Sequence, residues 1–280
     1  MLPLKDRNPT SRFAWVTFGL IVVNTLVFLL WEPIFGHGNL YQTLWFFCHA
    51  EVPWEITHHT SLAQGGHAAV LAIDHAHLGV NGRALQLVLQ GHANQVQGVP
   101  ANAPACPHKS WWESVFVAMF LHGGWLHIGG NMLFLWIFGN NVEDKIGPVF
   151  YLLFYLAGGI AATALQTAVG ASSTVPNLGA SGAIAAVLGA YLVMFPRARV
   201  LTLIFFFFIT WIEVPAIVLL GFWFILQFFQ GATSVTQHIQ GGVAYFAHVG
   251  GFVFGVVMAL LLFPKQRESR PPNPQPAWER

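Results

Sequence analysis

The chain has 280 residues, of which 55% are hydrophobic, 15% aromatic and only 8% charged. So few charged residues cannot cover a water-facing surface, which excludes an ordinary soluble protein. The net charge of +1 also excludes a strongly basic nucleic-acid-binding protein.

Four predominantly apolar stretches of the chain contain no Lys, Arg, Asp or Glu. They are Phe13 to Trp31, Ser114 to Val142, Ile146 to Pro196 and Val214 to Pro264. Because an apolar helix needs about 20 residues to cross a bilayer, the first two stretches are predicted to hold one span each and the last two to hold two each. The sequence therefore predicts an all-α membrane protein with a bundle of six transmembrane helices.

The basic residues indicate how this bundle is oriented. If the N-terminus is cytoplasmic, ten of the 12 basic residues face the cytoplasm, and Arg83 and Lys109 lie outside. The ten are Lys5, Arg7, Arg12, Lys145, Arg197, Arg199, Lys265, Arg267, Arg270 and Arg280. This is the positive-inside bias of membrane proteins. We expect an integral, multi-pass protein of a bacterial inner (plasma) membrane with both termini cytoplasmic.

The apolar stretches also predict the domain organisation. Residues 1–12 form a cytoplasmic segment, residues 13–264 the membrane domain, and residues 265–280, rich in Pro and charge, a disordered cytoplasmic tail. The first apolar stretch is too long for a signal-peptide core, and no small-residue cleavage site follows it. It is therefore predicted to anchor the chain.

A long external loop, residues 34–112, separates the first two predicted spans. We expect short helices at the membrane edge within it, because a loop of this length in a compact protein normally carries structure. It holds nine of the 13 His residues, but none has the tight spacing of a structural zinc site, so scattered surface His is favoured over a metal site. For Cys48 and Cys106, both in this loop, the sequence leaves a disulfide and two free thiols equally open.

Three shorter connections follow. Residues 172–177 are predicted to turn outside the membrane between the third and fourth spans, and Gly231 to Gly242 between the fifth and sixth. The second turn is Gly-rich and close to His248, so it is a candidate lid. Val200 to Ile212 is apolar but too short to cross a bilayer, and it is predicted to be a cytoplasmic-side segment before the fifth span rather than a seventh span.

Polar side chains inside the predicted spans are candidates for function, because burying them in lipid is costly. They are Asn24, His122, His127, Asn131, Gln166, Ser181, Glu213, Gln227 and His248. Asn24 is interpreted as a contact between helices, Gln166 and Gln227 as interfacial residues, and Glu213 as part of the cytoplasmic edge.

The remaining polar residues belong to three spans. His127 and Asn131 are four residues apart and share one face of the second span. Ser181 opens the fourth span and His248 the sixth. Both of these spans run from outside to inside, so the two residues are expected at one depth in the outer leaflet. A Ser at a helix start is more often an N-cap than a nucleophile, so that role is the alternative for Ser181.

Small residues predict that the fourth and sixth spans pack closely. One face consists of Ser181, Ala185 and Gly189, and the other of His248, Gly251 and Gly255. Close packing would bring the Ser hydroxyl to the imidazole that it needs as a base. His127, Asn131 and the Ser181 N–H could then stabilise an oxyanion. With no Asp or Glu in the outer halves of the spans, the pair would be a dyad.

Three motifs carry a family resemblance. They are His122-Gly-Gly-Trp-Leu-His127-Ile-Gly-Gly-Asn131, Gly179-Ala-Ser181-Gly182 and Ala247-His248-Val-Gly-Gly251-Phe-Val-Phe-Gly255. In this order, on the second, fourth and sixth predicted spans, they are very specific. From about Phe13 to Phe263 the chain resembles the rhomboid family of intramembrane serine proteases.

The resemblance implies a six-helix rhomboid-like bundle that cleaves transmembrane protein substrates in the lipid bilayer, in or near their helices. Ser181 would be the nucleophile and His248 the base, with His127 and Asn131 on the oxyanion side and His122 supporting them. The helix-packing glycines would be Gly179, Gly182, Gly251 and Gly255. The reaction would need no metal or organic cofactor and would involve no nucleic acid.

The chain departs from many relatives at two places. Ala185 stands where they carry a Tyr that stacks on the catalytic His, and Trp111-Trp112-Glu113 stands where bacterial relatives carry a Trp-Arg pair. These departures concern the orientation of the His and the anchoring of the first loop.

Three alternatives belong to other classes. A haem-binding electron carrier would use His127 and His248 as axial ligands. A catalytically inactive relative acting as a chaperone would typically lack Ser181 or His248. A site-2-type metalloprotease is disfavoured, because the sequence contains no His-Glu-x-x-His.

Overall fold

A computed structural model describes residues 2–35, 39–75, 81–205, 209–236 and 243–262. This part of the chain is mainly helical. Its helices are α1 (Trp15–Leu30), α2 (Asn39–His49), α3 (Pro53–His58), α4 (Gly66–His75), α5 (Gly82–Leu89), α6 (Trp111–Ala118), α7 (Trp125–Phe134), α8 (Asn140–Ile146), α9 (Pro148–Val169), α10 (Ser181–Met194), α11 (Ala216–Thr236) and α12 (Tyr245–Leu262). Its strands are β1 (Leu2–Asp6), β2 (Arg199–Phe205) and β3 (Ile209–Pro215).

Three of the described helices, α9, α11 and α12, are long and apolar enough to cross a membrane. The helices α1 and α10 are apolar but shorter. The predicted second span is not one continuous helix. Non-helical residues 119–124 separate α6 from α7, and a π-helical turn, Leu135–Gly139, joins α7 to α8. The paired glycines explain the first interruption, since Gly124 adopts a φ of +157° that other residues rarely adopt.

The centre of the bundle is α10. Every residue from Gly182 to Tyr191 is buried, because α9 and α12 pack against α10 and α11 also reaches it. Its Gly and Ala residues leave room for these neighbours to approach. Larger side chains, including Tyr151, Tyr155 and Phe138, fill the surrounding core.

The segment Val200 to Ile212 is not a span, as predicted, but it forms strands that the sequence did not indicate. The three strands pair antiparallel in the order β1-β2-β3, with Leu2 opposite Leu203 and Arg199 opposite Pro215. The N-terminal segment therefore packs on the membrane part of the chain. Asp6 Oδ2 accepts hydrogen bonds from Tyr191 Oη at 2.9 Å and Asn141 Nδ2 at 2.6 Å.

A carboxylate from a distant helix caps the start of α1. The N-cap residue, Ala14, has no side-chain acceptor of its own. Instead Glu143 of α8 accepts from the Val16 N–H at 2.9 Å, the Thr17 N–H at 2.7 Å and the Thr17 hydroxyl at 2.8 Å. These contacts satisfy N–H groups that have no partner within a helix, and they place a negative charge at its positive end.

The loop of residues 34–112 contains the expected short helices, α2 to α5, around a core of its own that includes Leu44, Phe47 and Leu62. Cys48 and Cys106 form a disulfide, which decides the question left open by the sequence. The loop also docks on the connection between α9 and α10, where the Asn177 N–H donates to the Glu51 carbonyl at 2.7 Å.

A buried ion pair holds the end of this loop. Lys109 Nζ lies 2.6 Å from Glu55 Oε2, with the two side chains 3% and 1% exposed. The same ammonium group donates to the carbonyl oxygens of Phe47 at 2.9 Å and Ala50 at 2.7 Å. Three acceptors therefore compensate one buried cation.

The end of α11 differs from the predicted turn. Helix α11 continues to Thr236, so the first half of the candidate lid, Gly231 to Gly242, is helical. The second half of that turn and the predicted tail, residues 265–280, lie outside the described residues, as do His37 and His77 of the His-rich loop.

Candidate active site

The structure brings Ser181 and His248 into contact. Ser181 is the first residue of α10, and His248 lies in the first turn of α12. The Ser181 Oγ atom lies 2.7 Å from His248 Nε2, within hydrogen-bond distance. Both helices begin at the same end of the bundle, as the count of spans predicted.

Glycines allow this approach of α10 and α12. A methyl group added at Gly251 would collide with the Gly182 carbonyl oxygen, and one added at Gly255 with the carbonyl oxygen of Ala186. Gly189 similarly faces the Phe252 carbonyl. The predicted contact is therefore present, although Gly255 meets Ala186 rather than Ala185.

The other two glycines of the predicted packing set have different neighbours. A Cβ atom at Gly182 would lie 2.6 Å from Ala162 Cβ, so Gly182 packs against α9. Gly179 precedes α10 with a φ of +125°, and its missing side chain makes room for the imidazole of His127. Gly179 therefore allows a close approach of His127 beside Ser181 and does not contribute to contact between helices.

The imidazole of His127 places an N–H group beside Ser181. His127 Nδ1 accepts the Gly123 N–H at 3.2 Å, which leaves the ring proton on Nε2. A Cβ at Gly179 would lie 2.8 Å from that Nε2 atom and 3.6 Å from Ser181 Oγ, so the imidazole borders the serine. The Ser181 N–H lies at the start of α10, where backbone donors have no partner within the helix.

Asn131 and His122 lie beside His127 but differ in their contacts. Asn131 Nδ2 donates to the His127 carbonyl at 3.0 Å, a bond within α7. His122 lies in the non-helical segment before α7, not in a helix, and its ring centroid is 5.2 Å from that of His127. Its backbone N–H donates to Glu32 Oε1 at 2.9 Å, which links the segment to the end of α1.

A small cavity of about 40 Å³ adjoins Ser181. The residues that line it include Glu51, Met119, Ala162, Gln166 and Gly179. Glu51 comes from the loop of residues 34–112, so that loop closes one side of the site. Its carboxylate accepts from Thr167 Oγ1 at 3.4 Å.

Two glutamines interpreted as interfacial from the sequence contact the site. Gln166 Oε1 accepts the Ala247 N–H at 3.1 Å, beside the start of α12. Gln227 Oε1 lies 2.6 Å from His248 Nδ1. The sequence did indicate a functional role for both, because an amide is costly in a very apolar span. Their positions near the span ends instead favoured the interpretation as interfacial residues.

The described residues contain no group of three or more His, Cys, Asp or Glu that could hold a metal ion, and we assign no metal centre. The haem interpretation required a free His248. Both of its ring nitrogens instead face protein partners, Ser181 and Gln227.

The fold and site define a multi-pass membrane protein with a Ser/His pair of the kind that serine hydrolases use. Residues 108–265 match the Rhomboid domain. The chain belongs to the rhomboid family, which confirms the resemblance carried by the three motifs.

Relatives are found in several kingdoms. The chain is 29% identical over 186 residues to Rhomboid-like protein 11, chloroplastic, of Arabidopsis thaliana, covering 64% of this chain and 62% of that protein. It is 30% identical over 171 residues to Rhomboid protein 1, mitochondrial, of Saccharomyces cerevisiae, covering 56% and 44%. It is 30% identical over 157 residues to Rhomboid-type serine protease 2 of Emericella nidulans, covering 55% and 27%. The chain thus spans less than two thirds of each of these relatives.

Proposed function

We propose that this chain is an intramembrane serine endopeptidase that cleaves membrane-anchored substrates in or near their transmembrane helix. The observation that carries the proposal is the 2.7 Å contact between Ser181 Oγ and His248 Nε2 within a rhomboid domain. A relative named as a serine protease is consistent with it.

The geometry supports a two-step acyl transfer. Ser181 Oγ attacks the scissile carbonyl carbon while His248 Nε2 takes the hydroxyl proton. The imidazolium then protonates the leaving amine, the C–N bond breaks, and an acyl-enzyme forms. Water, deprotonated by His248, attacks this ester and releases the second product and the free hydroxyl of Ser181.

Donors beside the serine would stabilise the negative oxygen of the tetrahedral intermediates. The Ser181 N–H and His127 Nε2–H lie on the same side of the site. Asn131 already donates one amide hydrogen to its own helix, so its second hydrogen is the one available. His122 supports the ring of His127 by contact.

The cavity next to Ser181 favours a small side chain at the cleavage site. The cavity is small, about 40 Å³, and it is lined next to the serine by residues such as Ala162, Gly179 and Gly182. Because a helical carbonyl is engaged in backbone hydrogen bonds, the substrate must also unwind locally before Ser181 can reach it.

The membrane arrangement remains part of this proposal. We propose six spans within residues 13–264, the loop of residues 34–112 outside, and residues 1–12 and 265–280 in the cytoplasm. The pairing of β1 with β2 supports it, because residues 2–6 and 199–205 must then lie on one side. The relatives named for chloroplasts and mitochondria do not favour the bacterial plasma membrane over an organelle membrane.

Removal of either reacting group should abolish activity. We expect Ser181→Ala to lose both cleavage of a model transmembrane substrate in proteoliposomes and labelling by a fluorophosphonate probe. His248→Ala should lose both as well, because the hydroxyl then lacks a base. The matched control, Ser172→Ala, changes an exposed serine in the turn after α9 and should keep full activity. Cleavage by folded Ser181→Ala protein, purified free of other proteases, would refute the mechanism.

A further inference from the structure

The orientation of His248 is set by α11 rather than by α10. Apart from the reacting hydroxyl of Ser181, α10 provides neither a ring nor a polar atom to hold the imidazole, because Ala185, one turn after Ser181, offers only a methyl group. Helix α11 provides both. The ring centroid of Trp223 lies 5.8 Å from that of His248 at an interplanar angle of 37°, and Gln227, one turn further, places Oε1 at 2.6 Å from His248 Nδ1.

The hydrogen bond to Gln227 has a consequence for proton transfer. A carboxamide oxygen only accepts, so its neighbour Nδ1 must carry the ring proton. The Nε2 atom then presents a lone pair to Ser181 Oγ, which is the form of the imidazole that can act as a base. The Gln227 Nε2 group then points away from the imidazole and lies 3.5 Å from Gln230 Oε1.

We propose that Gln227 is a positioning residue that fixes the tautomer and ring orientation of His248, so that the reacting group is a Ser181–His248–Gln227 triad rather than a dyad. The proposal rests on the proposed function for its effect on proteolysis. It replaces the expectation of a dyad, which rested on the absence of Asp and Glu from the outer halves of the spans and did not take an amide into account.

The test compares three variants in proteoliposomes. Gln227→Met removes the acceptor while keeping an unbranched side chain, and it should lower kcat by about tenfold, the effect of one hydrogen bond, with little change in KM. Gln227→Glu keeps an acceptor and should stay within about threefold of the wild-type kcat. Its carboxylate should stabilise the imidazolium and move the acid limb of the pH profile to higher pH. The control, Gln97→Met, is the same substitution at an exposed position of the loop of residues 34–112 and should behave as wild type.

A second readout does not depend on proteolysis. In protein with ¹⁵N-labelled histidine, assigned with His248→Ala, the wild-type His248 should be protonated on Nδ1. The Gln227→Glu variant should keep that tautomer, and Gln227→Met should show a mixture. This result without any cleavage would uphold the positioning role and refute the proposed function. Wild-type kcat and an unchanged tautomer in Gln227→Met would overturn the positioning role while leaving the protease intact.

Discussion

At the scale of single residues, buried carboxyl groups around the site are its most unusual feature. Burial raises the pKa of Glu51 to about 7, and the positive charge of Lys109 and the hydrogen bond from Thr167 offset only part of this effect. Burial likewise raises the pKa of Glu32 to about 7. Glu51 lines the cavity beside Ser181, and the Glu32 carboxylate binds the backbone of His122. A change in the protonation of either carboxyl group would therefore alter a contact at the site.

We expect the contribution of Glu51 to stability to fall as the pH rises towards neutral. A carboxyl group whose folded-state pKa is raised holds its proton more tightly when folded, so its contribution is complete below about pH 4.5 and is lost as the pH passes 7. For Glu51 this amounts to about 3 kcal/mol, at 1.36 kcal/mol per pKa unit. In thermal unfolding in detergent between pH 5 and 8, the slope of the unfolding midpoint against pH should therefore be more positive for Glu51→Gln than for wild type.

Glu113→Gln provides the control, because that carboxylate is exposed at the start of α6 and its loss should leave the slope unchanged. Equal slopes for Glu51→Gln and wild type would show that Glu51 is ionised in the folded protein and that the argument from burial is wrong.

At the scale of elements, the contact between α10 and α12 holds the reacting groups together. It depends on backbone atoms, since the missing side chains of Gly251 and Gly255 face carbonyl oxygens. Backbone atoms cannot rotate away as a flexible side chain can. The sequence pattern of small residues therefore sets the distance between the two helices, and through it the distance between hydroxyl and imidazole.

Gly255→Ala should separate these helices. Since the added methyl group meets the Ala186 carbonyl, we expect a loss of about 1 to 3 kcal/mol in stability and a large fall in the rate of fluorophosphonate labelling. The same substitution at Gly221 of α11 is the matched control, because a Cβ there has no atom within 4 Å. If Gly255→Ala and Gly221→Ala have the same stability and the same rate of fluorophosphonate labelling, the helices are not held at contact distance by Gly255.

At the scale of the whole molecule, two structured regions lie at opposite ends of the helices. The sheet of β1, β2 and β3 lies at one end, where Asp6 contacts Tyr191 near the end of α10. The loop of residues 34–112 lies at the other, where Glu51 meets the cavity at the start of α10. Each region ties together segments that are far apart in the sequence, and the site lies beneath the loop.

This arrangement predicts which positions share a side of the membrane. With the cytoplasmic N-terminus indicated by the charges, Arg83→Cys in the loop should react with a membrane-impermeant maleimide on intact cells. Thr210→Cys in β3 and Gln275→Cys in the tail should react only after permeabilisation. The native Cys48 and Cys106 are disulfide-bonded and should not contribute. Labelling of Gln275→Cys without Arg83→Cys would reverse the topology, and labelling of Thr210→Cys together with Arg83→Cys would contradict the shared side of sheet and N-terminus.

Patterns in the sequence predicted the membrane class, the family and the proximity of Ser181 and His248. These follow from local patterns, namely long uncharged stretches, residues spaced along one helix face and the parity of span directions. The break between α6 and α7 also has a local cause in Gly123 and Gly124. It was not predicted, because counting apolar residues does not detect an interruption of a helix.

The pairing of segments that are distant in the sequence could not be predicted and was found in the three-dimensional structure. The three-stranded sheet, the Cys48–Cys106 disulfide and the cap that Glu143 provides for α1 each join residues far apart in the chain. The contact of Gln227 with His248 is of the same kind, because it depends on the rotation of α11 about its axis and on how closely that helix packs. Composition and periodicity specify which face of a helix is polar, but the partner of that face is set by the packing of the whole bundle.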